Sequence, residues 1–150
     1  MADLKEFEHK AEELRVLGMK ISVGQDTVYE HYWDEDCRRN IYSASKSFTS
    51  CAVGFAVQEG LIDLNERLID AFAEAIPAYP DENLQKATVK DLLTMTLGQE
   101  KGFLMGKQRP RMEEQDWVKA SLAIPFVNEP GTHFVYNNVG PYLAGILVQK

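Results

Sequence analysis

Apolar residues recur along this chain with two different periods, and the switch between them separates an early segment from a longer helical one. Leu4, Phe7, Ala11 and Leu14 fall on one stripe among acids and lysines, which predicts an amphipathic helix over residues 4 to 16, stopped by Gly18. Met19, Ile21 and Val23 then alternate with Lys20 and Ser22, Gly24-Gln25-Asp26 supplies a turn, and residues 27 to 33 are β-branched and aromatic. That alternation predicts a β-hairpin over residues 19 to 33. A polar, turn-like stretch, Asp34-Glu35-Asp36-Cys37-Arg38-Arg39-Asn40, follows, and from Ser43 to about Glu59 a long apolar run predicts a buried helix.

The helical period then continues to the last residue. Leu64, Leu68 and Phe72 mark a short helix interrupted by Pro77 and Pro80. Thr88-Val89-Lys90-Asp91 has the form of a capping box and opens a helix with Val89, Leu92, Leu93 and Thr96 on one face, ended by Gly98. Residues 99 to 111, with glycine, proline and mixed charge, read as a surface loop, and residues 113 to 123 as a helix around Trp117 and Leu122. Glu129-Pro130-Gly131-Thr132 is a turn, Phe134-Val135-Tyr136 a short extended piece, and Asn138 a candidate cap for a last helix through Tyr142, Leu143, Ile146 and Leu147. A single two-stranded hairpin is marginal in water, so the sheet read from this sequence is incomplete.

Composition narrows the class without identifying the chemistry. The 150 residues are the length of one ordinary domain, and 45% hydrophobic content suits a globular fold. Sixteen Lys and Arg against 23 Asp and Glu give a net charge of −7, and the basic clusters at Arg38-Arg39 and Lys107 to Arg111 read as solvated faces. No phosphate-tracking surface is expected, so nucleic acid is set aside as a partner. No apolar run is long enough to span a membrane, and the charged N-terminus lacks the core of a signal peptide, which implies a cytoplasmic chain or a mature exported one. Cys37 and Cys51 make no disulfide framework; Cys51, inside the apolar helix, reads as a small buried hydrophobe and Cys37 as a free thiol. His9, His31 and His133 lack metal-ligand spacing, and no cofactor is called for.

Candidate chemistry begins at Ser43-Ala44-Ser45-Lys46. With a helix starting near Ser43, Ser43 and Lys46 lie at i and i+3 on one face, so the amine reaches the hydroxyl. A serine becomes a nucleophile when a neighbour takes its proton, and a desolvated lysine, whose pKa burial lowers, is such a neighbour. Free N–H groups at the helix start would face charge developing on a bound carbonyl. The same four residues equally describe a capping serine followed by a surface lysine, and chance supplies about half a match in a chain this long. Further along stands the chain's single Tyr-x-Asn, Tyr136-Asn137-Asn138. A tyrosine beside a lysine has its phenolate favoured and can act as base to Ser43, while an asparagine offers donor and acceptor to an amide or ester; a core tyrosine with a capping asparagine is the structural alternative.

Together, and in this order, the motifs resemble the serine β-lactamase and penicillin-binding-protein superfamily, in its class C β-lactamase, DD-peptidase and esterase branch. Tyr42-Ser43-Ala44-Ser45-Lys46-Ser47-Phe48-Thr49-Ser50 resembles the nucleophile helix and Gln58-Glu59-Gly60-Leu61-Ile62-Asp63-Leu64 the stretch after it. Thr88 to Gly98 is similar to the helix carrying leucine-leucine-threonine, and Glu129-Pro130-Gly131-Thr132 precedes the tyrosine as it does in relatives. The resemblance covers roughly residues 16 to 150. It implies an α+β fold: an N-terminal helix, a hairpin of an antiparallel sheet and the nucleophile helix over residues 1–60, then a mostly helical lobe over 61–150.

It also implies Ser43 as acylated nucleophile, Lys46 and Tyr136 as proton-transfer pair, and Asn138 as contact to the substrate's acyl-side amide. The expected substrate is a small-molecule ester, amide or β-lactam. Relatives carry a third motif, Lys-Thr-Gly or His-x-Gly, on a later strand that also supplies a second oxyanion N–H, and nothing after Asn138 resembles it. The chain is therefore expected to be the N-terminal part of a longer serine hydrolase and inactive or nearly so alone, with exposed strand edges inviting self-association. The competing reading is a non-catalytic ligand-binding or sensor module built on the same cleft.

Overall fold

A computed structural model describes residues 4–35 and 37–150. The fold is α+β, with helices and, among the described residues, one two-stranded antiparallel sheet, and the chain divides into two compact units, one ending at Ile41 and one spanning Tyr42–Lys150.

In the first unit, helix α1 (Lys5–Glu13) precedes strands β1 (Gly18–Val23) and β2 (Asp26–Tyr32). The hairpin stands where alternation predicts it. Gly24, at φ 62°, makes the tight connection that pairs Val23 with Asp26, and a bulge between Ile21 and Ser22 shifts the register. Tyr29 OH donates a hydrogen bond to Glu8 Oε1 at 2.6 Å, tying the hairpin to α1. Burial and that acidic partner push the Tyr29 phenol up to about 12. The helix is shorter than the 4–16 expected, and of its stripe only Ala11 is buried, while Phe7 and Leu14 face solvent. The β1–β2 ribbon pairs with no further strand among the described residues.

The core lies in the second unit. Helix α2 (Ser45–Gln58) packs on α7 (Val139–Gln149), and α7 packs on α5 (Val89–Thr94). Val53, Val89, Leu92, Val139, Leu143 and Ala144 are fully enclosed there. Cys51, expected to be buried, is exposed: Val53 is the residue of α2 turned inward, and Phe48, Cys51 and Phe55 share an uncovered face.

Backbone pairing explains where the sequence period overshoots. Lys90 N donates to Leu64 O at 2.9 Å, Val89 N to Glu66 O at 3.0 Å, and Leu68 N to Ala87 O at 2.8 Å. Residues 64–68 thus spend polar groups on Ala87 and on the first two residues of α5, so α3 is only Leu68–Ala71, with Leu68 and Phe72 buried as expected. Asp81 caps α4 (Glu82–Lys86), a helix absent from the sequence reading, and its other oxygen accepts from Phe126 N at 3.0 Å. The predicted pairing of Thr88 with Asp91 is present, Thr88 N reaching the carboxylate at 2.9 Å. However, α5 ends at Thr94 with Met95 left-handed at φ 57°, before Gly98 is reached. Helix α6 (Trp117–Leu122) begins only at Trp117, because Asp116 accepts from Val118 N and Lys119 N and starts it there. Among the described residues no helix is long and apolar enough to cross a membrane.

Candidate active site

Ser43 sits in a turn of 3-10 helix, Tyr42–Ala44, that runs directly into α2. The expected helix start is thus displaced by two residues, yet Ser43 and Lys46 keep one face, and Lys46 Nζ donates to Ser43 Oγ at 3.1 Å. Tyr42 takes a left-handed backbone at φ 44°, and its carbonyl accepts from Ser45 Oγ at 2.6 Å, which fixes the turn that presents Ser43. Ser43 is exposed and Lys46 half-buried. The amine is therefore not enclosed as the desolvation argument requires, and it lies over the Tyr136 ring instead, 5.2 Å from the centroid.

Tyr136 arrives at the same oxygen from 93 residues away, its hydroxyl 2.5 Å from Ser43 Oγ. The end of α5 carries it there: Gly131 N donates to Thr96 O at 2.8 Å and Val135 N to Met95 O at 2.9 Å. The early left-handed stop at Met95 is what turns these carbonyls toward the 131–135 segment. Asp91, having capped α5, also accepts from Thr96 Oγ1 at 3.2 Å and so steadies this junction. The Tyr136 phenol is held below the ordinary tyrosine range, first by its hydrogen bond with Ser43 and then by Lys46, against a smaller opposing effect of desolvation.

The two asparagines divide their work otherwise than expected. Asn138 does not cap α7 with its side chain; buried Asn137 does, accepting from Gly140 N at 3.0 Å while donating to Val135 O at 2.8 Å. Asn138 gives its amide N–H groups to Leu104 O at 3.0 Å and Met105 Sδ at 3.7 Å. Residues 99–111 are therefore not a free surface loop. Gln99 and Leu104 are buried, Asn138 N donates to Phe103 O at 3.1 Å, and a Cβ on Gly102 would meet Tyr136 O at 2.6 Å. Sequence reasoning missed Asn137 and Gly102. The doubled asparagine was the available signal for the first, and only the backbone approach reveals the second. Ser43, Lys46 and Tyr136 converge on one oxygen, and Asn138 belongs to the adjoining turn.

The Beta-lactamase family model matches residues 5–150. The chain belongs to the beta-lactamase family. Over 122 residues it is 29% identical to monacolin J acid methylbutanoyltransferase of Aspergillus terreus and 30% identical to acyltransferase mokF of Monascus pilosus. In each case the match covers 69% of this chain and 29% of the relative's length. Among solved structures, a class C beta-lactamase superposes with a TM-score of 0.70 at 18% identity, and one in complex with cefoxitin with 0.69 at 18%. These cover 95% of this chain and 41% of theirs, and at that identity they establish the fold of this beta-lactamase-family chain.

Proposed function

We propose that this chain carries the nucleophile and proton-transfer pair of a serine acyl-transfer enzyme that works through an acyl-enzyme on an ester, amide or β-lactam. The observation that supports this best is Ser43 Oγ in hydrogen-bond reach of both Tyr136 OH, 2.5 Å, and Lys46 Nζ, 3.1 Å. The serine hydroxyl is a free rotor, so with Tyr136 ionised Ser43 becomes the donor and the phenolate the acceptor. As that proton moves to Tyr136, Oγ attacks the carbonyl, and the carbonyl's charge is met by N–H groups at the start of the helix. Collapse breaks the bond to the leaving group, which takes its proton back from the Tyr136–Lys46 pair. Water then releases the acyl group in the hydrolase reading. Transfer to an alcohol is the second reading, favoured by the names of both curated relatives, which are acyltransferases.

Alone, these 150 residues are expected to be inactive or nearly so in turnover, since one missing oxyanion donor costs about a hundredfold or more. A fluorophosphonate, reactive enough to need little stabilisation, is expected to label Ser43 slowly, as read by intact mass. Ser43→Ala should remove the label, and Lys46→Ala or Tyr136→Phe should slow it by about a hundredfold or more. Nitrocefin or nitrophenyl-ester hydrolysis by this chain, lost in Ser43→Ala, would refute the inactivity. Reversible ligand binding without any labelling of a longer chain would favour a non-catalytic module. Adding an alcohol to a trapped acyl-enzyme and assaying for the new ester separates transferase from hydrolase.

A further inference from the structure

Among the described residues four other than glycine take a positive φ, and for three of them the fold supplies the reason. Arg15 and Met95 follow the last turns of α1 and α5, where a left-handed residue closes a helix. Leu104 is held by its own side chain, which is only 2% exposed. Tyr42, at φ 44°, has neither support. It opens a helical turn instead of closing one, and its side chain is 81% exposed. Its ring makes no ring contact among the described residues. A positive φ crowds Cβ against the following carbonyl, so a bulky residue keeps it only where something else holds it.

Ser45 does the holding. Its Oγ donates to Tyr42 O at 2.6 Å, the reach of a helical hydroxyl to the carbonyl three residues back. The bond closes over Ser43, whose own Oγ is set against Tyr136 and Lys46. An uncovered aromatic ring is thereby fixed on the residue directly before the candidate nucleophile, at a conformational cost that no burial of the ring offsets. A leaving group must lie toward Tyr136 to receive its proton, so the acyl group takes the other side of the carbonyl, and the Tyr42 ring is out of contact with that of Tyr136. A tyrosine face attracts aromatic rings and cations alike. A cation there would stand one helical turn from Lys46, so an aromatic group is the better match.

We infer that Tyr42 is a specificity-determining residue whose ring receives an aromatic group on the substrate's acyl side, and that Ser45 is the positioning residue that keeps the ring there. The inference deepens the acyl-transfer reading and rests on it for its first measurement.

That measurement follows single-turnover acylation of the present chain by two nitrophenyl esters, the phenylacetate and the acetate. Ser43 Oγ bonds to the acyl carbon, the ester C–O bond breaks, nitrophenolate leaves, and the serine proton passes to the Tyr136–Lys46 pair. Corrected for the esters' reactivity toward hydroxide, acylation is expected to favour the phenylacetate about fivefold, the ratio one aromatic pair supports. Tyr42→Phe should keep that ratio. Tyr42→Asn should bring it to about one, since asparagine tolerates a left-handed backbone and has no ring. Ser45→Ala should also bring it toward one, and Ser45→Thr, which keeps the hydroxyl, should retain it. A general loss of rate from a misplaced Ser43 cancels in the ratio. A ratio near one in the unaltered chain, or one that Tyr42→Asn leaves unchanged, overturns the role of Tyr42; one that Ser45→Ala leaves unchanged overturns that of Ser45. If neither ester acylates Ser43, the acyl-transfer reading fails, and the inference is read by NMR instead. Phenylacetamide should then shift the Tyr42 ring signals where acetamide at the same concentration does not, and equal or absent shifts overturn it.

Discussion

Ser43 Oγ lies between the Lys46 amine, which donates to it, and the Tyr136 phenol, and the phenol sets the proposed pH behaviour. Tyr136 is held below the ordinary tyrosine value of about 10 by Ser43 first and Lys46 second. Because the phenolate is the proposed base, labelling of Ser43 should rise with pH through the Tyr136 pKa and level off above it, with its midpoint below about 10. Lys46→Ala removes the cation that favours the phenolate, so the midpoint should move to higher pH. An NMR titration of Tyr136 in both proteins checks this, and a midpoint at the ordinary value, or one that ignores Lys46, would exclude Tyr136 as base. Of this arrangement, the i, i+3 reach from Ser43 to Lys46 was legible in the sequence, because helical spacing alone dictates it. The meeting of Tyr136 with Ser43 across 93 residues was legible only by resemblance, since no local rule brings them together. Which asparagine caps α7 was not legible: Asn137 and Asn138 are equally good caps by residue type, and burial of Asn137 decides it.

At the scale of elements, the site depends on how closely α7 approaches α5. Gly140, in the first turn of α7, is buried so tightly against Leu92 O that a Cβ there would sit inside contact distance of a backbone atom, which cannot swing aside. Gly140→Ala is expected to destabilise the chain by about 2–3 kcal/mol in urea denaturation, and to slow Ser43 labelling by displacing Tyr136. Gly145, one and a half turns on, has open space at its Cβ position. Gly145→Ala should stabilise by about 0.5–1 kcal/mol through helix propensity alone. Equal effects of the two substitutions would rule out the close approach. Apolar period revealed that α7 is a helix and that Leu143 and Leu147 face the core, with Tyr142 and Ile146 only half-buried, but not that Val139, Gly140 and Ala144 are enclosed or that one glycine sets its distance from α5. The same limit explains the 99–111 stretch. Glycine, proline and charge leave only a short 3-10 helix there, Arg109–Arg111, and the anchors, Gln99, Leu104 and the Asn138 amide, are tertiary and leave no periodic trace.

For the whole molecule, the two units differ in what holds them. Every buried apolar residue except Ala11 belongs to the unit Tyr42–Lys150, and Ala11 is the one buried residue among those described up to Ile41. The helix and hairpin of the first unit were nevertheless plain in the sequence, since stripe and alternation mark faces whether or not anything covers them. Phe7 at 53% exposure and Leu14 at 69% show the difference between a face suited to burial and a face that is buried. A two-stranded ribbon that buries none of its own residues has little to resist local opening. Native-state hydrogen exchange should therefore find β1 and β2 amides opening near the cost of fraying, while amides of α5 and of the central turns of α7 open only with global unfolding. Protection in β1–β2 equal to that of α7 would mean that the ribbon shares the cooperative core. It would then carry stabilisation for which its own burial and hydrogen bonds give no account.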